Sequence, residues 1–316
     1  MSPSAYKQKW LIEQSMPITY ALLFIVLSLT VENFFSTANI VGLMLSVAQI
    51  GMVACTMMLC LASRDFDLSV GSTIAFSGVL GAIILEHTQS IGLAVGGGLA
   101  AGAAIGAGNG VLIAYLRVNA LIATLATMLM VRGLAFIVSG GQAVGIANES
   151  FISFGDARIA GLPVPVLMTA ACFLVFGVLL NHTVFGRNTL AIGGNPEAAR
   201  LAGVKVERLR VWIFLLQGLV TALAGLILAS RITSGQPNSA QGFELDVISA
   251  CVLGGVSLHG GKAKIFGVLV GVLIMGTVEN VMNLLDVDAF YQYLMRGIIL
   301  LAAVLLDQLK TRGQRG

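Results

Sequence analysis

Three charged residues, Arg132, Glu279 and Arg296, lie inside stretches that are otherwise apolar. A charge held in a bilayer is costly, so it persists where it is paired or where it serves a function. Arg132 and Glu279 fall late in stretches crossing one way, and Arg296 falls early in a stretch crossing back. All three are therefore expected at similar depth, in the outer leaflet. Glu279 is expected to pair with Arg132, Arg296 or both and to fix helix packing near an outer mouth. Direct contact with a substrate is the alternative. Asn280 and Asn283 flank Glu279. They have the chemistry to exchange hydrogen bonds with a neutral polyol, and equally to join helices. Asp65 and Asp67 precede another apolar stretch, and Asp67 reads as its N-cap.

Catalytic chemistry is not visible. His87, His182 and His259 are scattered, and no zinc-peptidase, nucleophile-elbow or paired His/Cys pattern occurs. Gly260-Gly261-Lys262-Ala263 lacks both the first glycine and the Ser/Thr of a phosphate-binding loop. No metal or cofactor is expected on this chain, and any ATP and magnesium chemistry belongs to a partner. Cys55, Cys60, Cys172 and Cys251 sit in apolar stretches at spacings that match no zinc site, so they read as buried small hydrophobes.

One stretch stands apart from the apolar remainder. Residues 185–210 form a polar, basic island of about 26 residues. Within it Asn195-Pro196-Glu197-Ala198-Ala199-Arg200-Leu201-Ala202-Gly203 reads as a complete small helix. Asn195 is suited to cap the free backbone donors, Pro196 to the first helical position and Glu197 to the positive end of the dipole. Gly203 is suited to the left-handed turn that ends a helix. Ala198, Leu201 and Ala202 share a face, which makes a small apolar surface for a groove on another protein. A plain connection with an incidental helix is the other reading, although so long a loop is usually functional.

The elements that must position these residues are membrane spans. Apolar residues make up 57% of the chain and charged ones 10%, far below the roughly 25% charged of soluble domains. The net charge of +3 and the lack of a basic aromatic patch exclude a nucleic-acid partner. Apolar runs near residues 17–35, 39–62, 68–85, 91–116, 121–138, 164–181, 211–230, 247–258, 265–284 and 290–306 predict ten transmembrane helices, the eighth short and either broken or extended by its flanks. Lys7 and Lys9 before the first run resemble a signal peptide, but the many spans that follow favour an uncleaved first helix. With both termini inside, 14 of the 18 Lys and Arg residues fall inside, Arg158 and Arg231 outside, and Arg132 and Arg296 within spans. That asymmetry predicts the orientation and places the island in the cytoplasm. The fold class is thus an all-α integral membrane protein, with residues 1–316 as one domain. The fourth span carries two rows of small residues, Gly98, Gly102, Gly106, Gly110 and Gly92, Gly96, Ala100, Ala104, Gly108. They predict a central helix with little lipid exposure.

Several segments resemble a known family. Asp65–Gly71 (DFDLSVG), Thr124–Met128 followed by Arg132–Ala135, Gly186–Val204 (GRNTLAIGGNPEAARLAGV), Leu253–Gly261 (LGGVSLHGG), and Asn283–Leu285 with the closing LLAAVLLD resemble permeases of sugar ABC importers of the ribose, xylose, galactose and arabinose class. Residues 52–63, 141–151, 230–237 and 248–258 look like the L-arabinose branch, as does Arg64-Asp65-Phe66-Asp67 in place of small residues and a single acid. The resemblance implies the ten-helix fold of the larger ABC importers and a homodimer enclosing the sugar path. It also implies an ATP-hydrolysing subunit docked on the island, a periplasmic sugar-binding protein on the outer face, and a bacterial inner-membrane, lipid-embedded location. Asn195–Gly203 would be the coupling helix. A secondary transporter driven through Glu279 or Asp67 is the reading from a different class, but it leaves the capped island without a task.

Overall fold

The structure, a computed structural model, describes the backbone of residues 3–313 and, within it, the side chains of residues 16–305 and 308. Lys7, Lys9, Lys310, Arg312 and Arg315, which contribute to the charge asymmetry, lie outside the described side chains. Helices dominate. The chain runs through α1 (Pro3–Thr30), α2 (Thr37–Ala62), α3 (Val70–Thr88), α4 (Ile91–Ala114) and α5 (Ala120–Ser139). After β1 (Val144–Gly145) come α6 (Glu149–Asp156), β2 (Arg158–Ile159), β3 (Leu162–Pro163) and α7 (Val164–His182). The island folds as α8 (Val184–Gly194) and α9 (Pro196–Leu201). Then follow α10 (Val206–Arg231), β4 (Ser234–Gly235), α11 (Phe243–Leu253), α12 (Ile265–Leu284) and α13 (Ala289–Gly313). We call the end carrying α8 and α9 the island end, and the opposite end, where β1 pairs antiparallel with β4, the far end.

Among the described residues, seven helices are long and apolar enough to cross a membrane: α2, α3, α4, α5, α7, α10 and α12. The chain is a multi-pass membrane protein. The apolar parts of α1 and α13, Met16–Thr30 and Ala289–Leu305, are shorter. The expected eighth span is realised differently. α11 has only 11 residues, roughly 16 Å at the helical rise, against a hydrocarbon thickness of about 30 Å. It starts at Phe243 and stops at Gly254, where the backbone packs against Gly267 and Val268 of α12, and Gly255 then turns with φ +82°.

Local chemistry sets most helix starts. Ser36, Ser90, Asn119, Asn148 and Thr183 each accept a bond from a backbone N–H in the first turn of the helix that follows. α3 is an exception to the expected pattern. Asp67 is not its N-cap: Asp67 Oδ1 accepts from the Ser69 N–H at 2.9 Å and the Ser69 hydroxyl at 2.6 Å, forming a turn ahead of the helix. Ser69 also accepts from Asn109 Nδ2 at 3.0 Å, and Asn109 Oδ1 accepts from Thr127 at 2.6 Å. This buried chain of polar groups joins α3, α4 and α5.

The core centres on α2, not α4. Every residue from Ile50 to Ser63 is buried, and the run is rich in Met, Cys and Ala, which fill irregular gaps against several neighbours. Cys55, Cys60 and Cys251 are buried and Cys172 is half-buried, all as free thiols. Of the two small-residue rows on α4, the first packs on α10 so closely that a Cβ at Gly106 would meet the Phe214 carbonyl. The second row is exposed along its whole length. Small residues permit close approach but do not require it; here only one row has a neighbour.

Candidate functional site

A polar cavity of about 640 Å³ opens among α2, α10, α11, α12 and α13. One wall is the non-helical segment after β4. Gly235 backs onto Gly78 and Val79, and a Cβ at Gly71 would meet the Ala240 carbonyl and the Glu244 carboxylate. The segment therefore folds back along α3 before α11 begins. Irregular backbone at such a depth is tolerated where it lines a cavity. It presents Asn238, Ser239 and Gln241 to the cavity, opposite Ser46 and Gln49 of α2.

The charges that line this cavity sort differently from the sequence expectation. Arg296 Nη1 lies 3.4 Å from Asp246 Oδ2, and Nη2 lies 3.8 Å from Glu279 Oε1. The guanidinium is also 5.8 Å from the Tyr293 ring centroid, within cation–π range. Arg132 does not reach Glu279. Its Nη1 donates to the carbonyls of Pro237 and Ser239, both at 2.7 Å, and so fastens the non-helical wall. Asn280 lies outside the cavity lining, donating from Nδ2 to Asn39 Oδ1 at 3.0 Å, so it joins α12 to α2. Asn283 is exposed near the α12–α13 connection and accepts from Gln292 at 3.0 Å.

At the island end the small helix has the bounds Pro196–Leu201. Asn195 Oδ1 accepts from the N–H groups of Glu197 and Ala198 at 3.0 and 3.1 Å. Gly203, at φ +88°, follows the helix, and the Val204 N–H returns to the Ala199 carbonyl. Ala199 is buried against Ile192 and Val206, whereas Ala198, Leu201 and Ala202 are exposed, Leu201 to 90%. Arg200 bridges Glu197 and Glu207, each at 2.6 Å. Beside the island, Asp65 faces Arg210 Nε at 3.0 Å, at an angle that makes an ion pair without an aligned hydrogen bond. Burial pushes the Asp65 carboxyl up to about 6, against the opposing pull of Arg210.

Comparison with known proteins gives the family. A model described as "Branched-chain amino acid transport system / permease component" matches residues 39–304. The L-arabinose transport system permease protein AraH of Escherichia coli (strain K12) is 56% identical over 303 residues, which is 96% of this chain and 92% of the relative. The L-arabinose ABC transporter permease protein AraH of Azospirillum brasilense is 55% identical, over 94% of this chain and 88% of its own length. The ribose import permease protein RbsC of Bacillus subtilis (strain 168) is 43% identical, over 92% and 91%. The chain belongs to this permease family. No solved structure matches it.

Sequence reasoning missed several cavity residues of the permease. Asp246 sits one residue before the expected eighth span, where it reads as a boundary acid. Gln49 and Tyr293 read as ordinary span residues. The signal that was present is the amide-rich run Gln236-Pro237-Asn238-Ser239-Ala240-Gln241, too polar for a span and free of the charges usual in a surface loop. Among the described residues, no group of three or more His, Cys, Asp or Glu side chains is placed to hold a metal.

Proposed function

We propose that this permease is the membrane subunit of an ATP-driven importer of L-arabinose. The observation that carries the substrate is the gap in identity: 56% to an L-arabinose permease against 43% to a ribose permease. Ribose, xylose and galactose are the alternatives within the class. The cavity suits a neutral polyol. Amides, hydroxyls, an ion pair and an aromatic ring offer donors, acceptors and a stacking face, and the opposed charges disfavour an ionic cargo.

In this reading the chain is one domain, residues 1–316, crossing the inner membrane ten times. α1, α13 and α11 with its following non-helical segment supply the three crossings beyond the seven long helices. The excess of Lys and Arg puts the island end and both termini in the cytoplasm. Residues 185–210 form the coupling loop. Leu201, with Ala198 and Ala202, enters a groove on an ATPase subunit that carries the ATP and magnesium; the permease itself binds neither. Two copies of the permease enclose the path, surrounded by lipid, and a periplasmic sugar-binding protein delivers the cargo to the far end. Arg132, Glu279 and Arg296 hold the outer mouth, while Asn280 and Asn283 brace its helices. ATP-driven closure of the ATPase moves α9 and re-orients the spans. Sugar is held weakly in the path, because tight binding would slow its release.

Reconstitution in liposomes tests the reading. Uptake of labelled L-arabinose is expected only with the ATPase subunit, the binding protein and internal-leaflet ATP, and it should survive an uncoupler. Accumulation by this chain alone on a proton or sodium gradient would establish the ion-coupled alternative instead. Faster uptake of ribose than of arabinose would move the substrate.

A further inference from the structure

Arg64 is the one residue of the Arg64-Asp65-Phe66-Asp67 departure that faces solvent prominently, and the function above gives it no role. Its backbone has φ +68°, a left-handed conformation that disfavours any side chain with a Cβ. The reason is its place just past the end of α2. The Arg64 N–H bonds the Leu61 carbonyl and the Asp65 N–H bonds the Cys60 carbonyl, the closing turn in which glycine is the usual residue. Glycine would serve the turn better, so the guanidinium must offset the strain.

What it holds are two main-chain carbonyls from distant parts of the chain. Arg64 Nε donates to the His259 carbonyl at 2.6 Å, and Nη2 donates to the Gly194 carbonyl at 3.1 Å. Gly194 is the last residue of α8, directly before the cap of α9, so a cation there also meets the negative end of a helix dipole. His259 belongs to the segment that leads from α11 to α12. The three strands of backbone touch: the Gly261 N–H bonds the Ala62 carbonyl at 2.9 Å. A Cβ at Gly193 would land on that same carbonyl, and one at Gly260 would meet Arg64 Cγ. α11 and α12, the two elements joined through this segment, carry Asp246 and Glu279 of the cavity.

We infer that Arg64 is a positioning residue that transmits displacement of the coupling helix to the α11–α12 unit, and through it to the cavity. This rests on the import reading above. The guanidinium is a two-ended staple: one end grips the root of α9, the other the connection that moves Asp246 and Glu279. Without it only the backbone contacts of Gly193 with Ala62 and Gly261 remain at the junction, so α9 can still follow the ATPase while the cavity follows α9 far less closely.

Arg64→Gly separates this role from a structural one, because it relieves the backbone while removing the staple. The permease is purified with its ATPase subunit, reconstituted with the binding protein, and assayed for arabinose uptake and ATP hydrolysis together. For Arg64→Gly we expect co-purification of the ATPase, thermal stability equal to or above wild type and hydrolysis within about twofold, while uptake falls about tenfold or more, the scale that one link in a coupling network can carry. Arg64→Lys should recover part of the uptake, and His259→Ala should change nothing, since the bonded atom is its carbonyl. In Arg64→Gly, a disulfide made between Gly194→Cys and His259→Cys should restore uptake and lose it again on reduction. Wild-type uptake by Arg64→Gly overturns the inference and leaves the import reading intact. Uptake and hydrolysis falling in proportion also overturns it, by reducing Arg64 to a docking residue. If the wild-type complex itself fails to import sugar with ATP, the import reading fails first.

Discussion

The junction at the island end and the cavity at the far end are built on opposite principles. The junction is backbone against backbone: Gly193 on Ala62, the Gly261 N–H on the Ala62 carbonyl, and one guanidinium across two carbonyls. It leaves no room for adjustment. The cavity is side chain against side chain, with Arg296 shared at 3.4 and 3.8 Å between two acids that it does not fully satisfy. Rigid contact suits a part that conveys motion, and under-satisfied polar contact suits a part that must exchange partners with a passing solute.

The largest expected effect tests the rigidity of the junction. Gly193→Ala places a methyl on the Ala62 carbonyl and is expected to cost about 3 kcal/mol or more, beyond ordinary overpacking, read as lost folded yield by fluorescence size exclusion. Gly145→Ala at the far end, where a Cβ meets nothing, should stay within about 0.5 kcal/mol of wild type. Equal losses at the two sites would erase the contrast.

Next comes the charge cluster. Arg296→Gln leaves Asp246 and Glu279 facing each other without a cation, an arrangement expected to cost about 3–5 kcal/mol and most uptake. Exchanging the pair, Glu279→Arg with Arg296→Glu, should restore part of the uptake lost in either single variant. Glu279→Arg with Arg132→Glu should restore none, because Arg132 serves the Pro237 and Ser239 carbonyls. Rescue by Arg132 alone would contradict the described cluster.

A smaller effect concerns Asp65. Its folded value is raised to about 6 from 3.8, mainly by burial. The protonated form is therefore favoured in the folded state. Stability is highest below the unfolded value and declines as pH rises from about 4 to about 6, on the order of 2–3 kcal/mol. Asp65→Asn should flatten that slope in thermal unfolding of the detergent-solubilised protein. An unchanged slope would assign the titration elsewhere. Smallest for the fold is Leu201→Glu, on a side chain that is 90% exposed: melting should not move, whereas co-purification of the ATPase subunit should fail.

The sequence made the island helix readable because its determinants are local. Asn195, Pro196, Glu197 and Gly203 each act within four residues, and the structure has them acting so. α8 (Val184–Gly194) is not expected from the sequence, since within the island only Asn195–Gly203 reads as a helix; Gly193 in it serves contact with Ala62 and not a turn. α4 was expected at the centre from its glycines, but two glycine rows look alike in sequence when only one of them has a neighbour. The shortened α11 depends on Gly254 meeting Gly267 across helices, and the pairing of Arg296 with Asp246 depends on the fold of the 236–242 segment. Neither is encoded at any fixed spacing. The two bonds of Arg64 end on main-chain oxygens, so no residue type at 194 or 259 announces them.

The short length of α11 has a mechanical consequence. Non-helical chain precedes and follows it, so it is a stiff rod of 11 residues hinged at both ends. Such a rod, about 16 Å long, swings its tip by roughly 3 Å for a tilt of about 10°. Asp246 lies about 10 Å from the Gly254 end of the rod, so the same tilt about that end moves it by roughly 2 Å, enough to widen the present 3.4 Å gap to Arg296 by about half and open the ion pair.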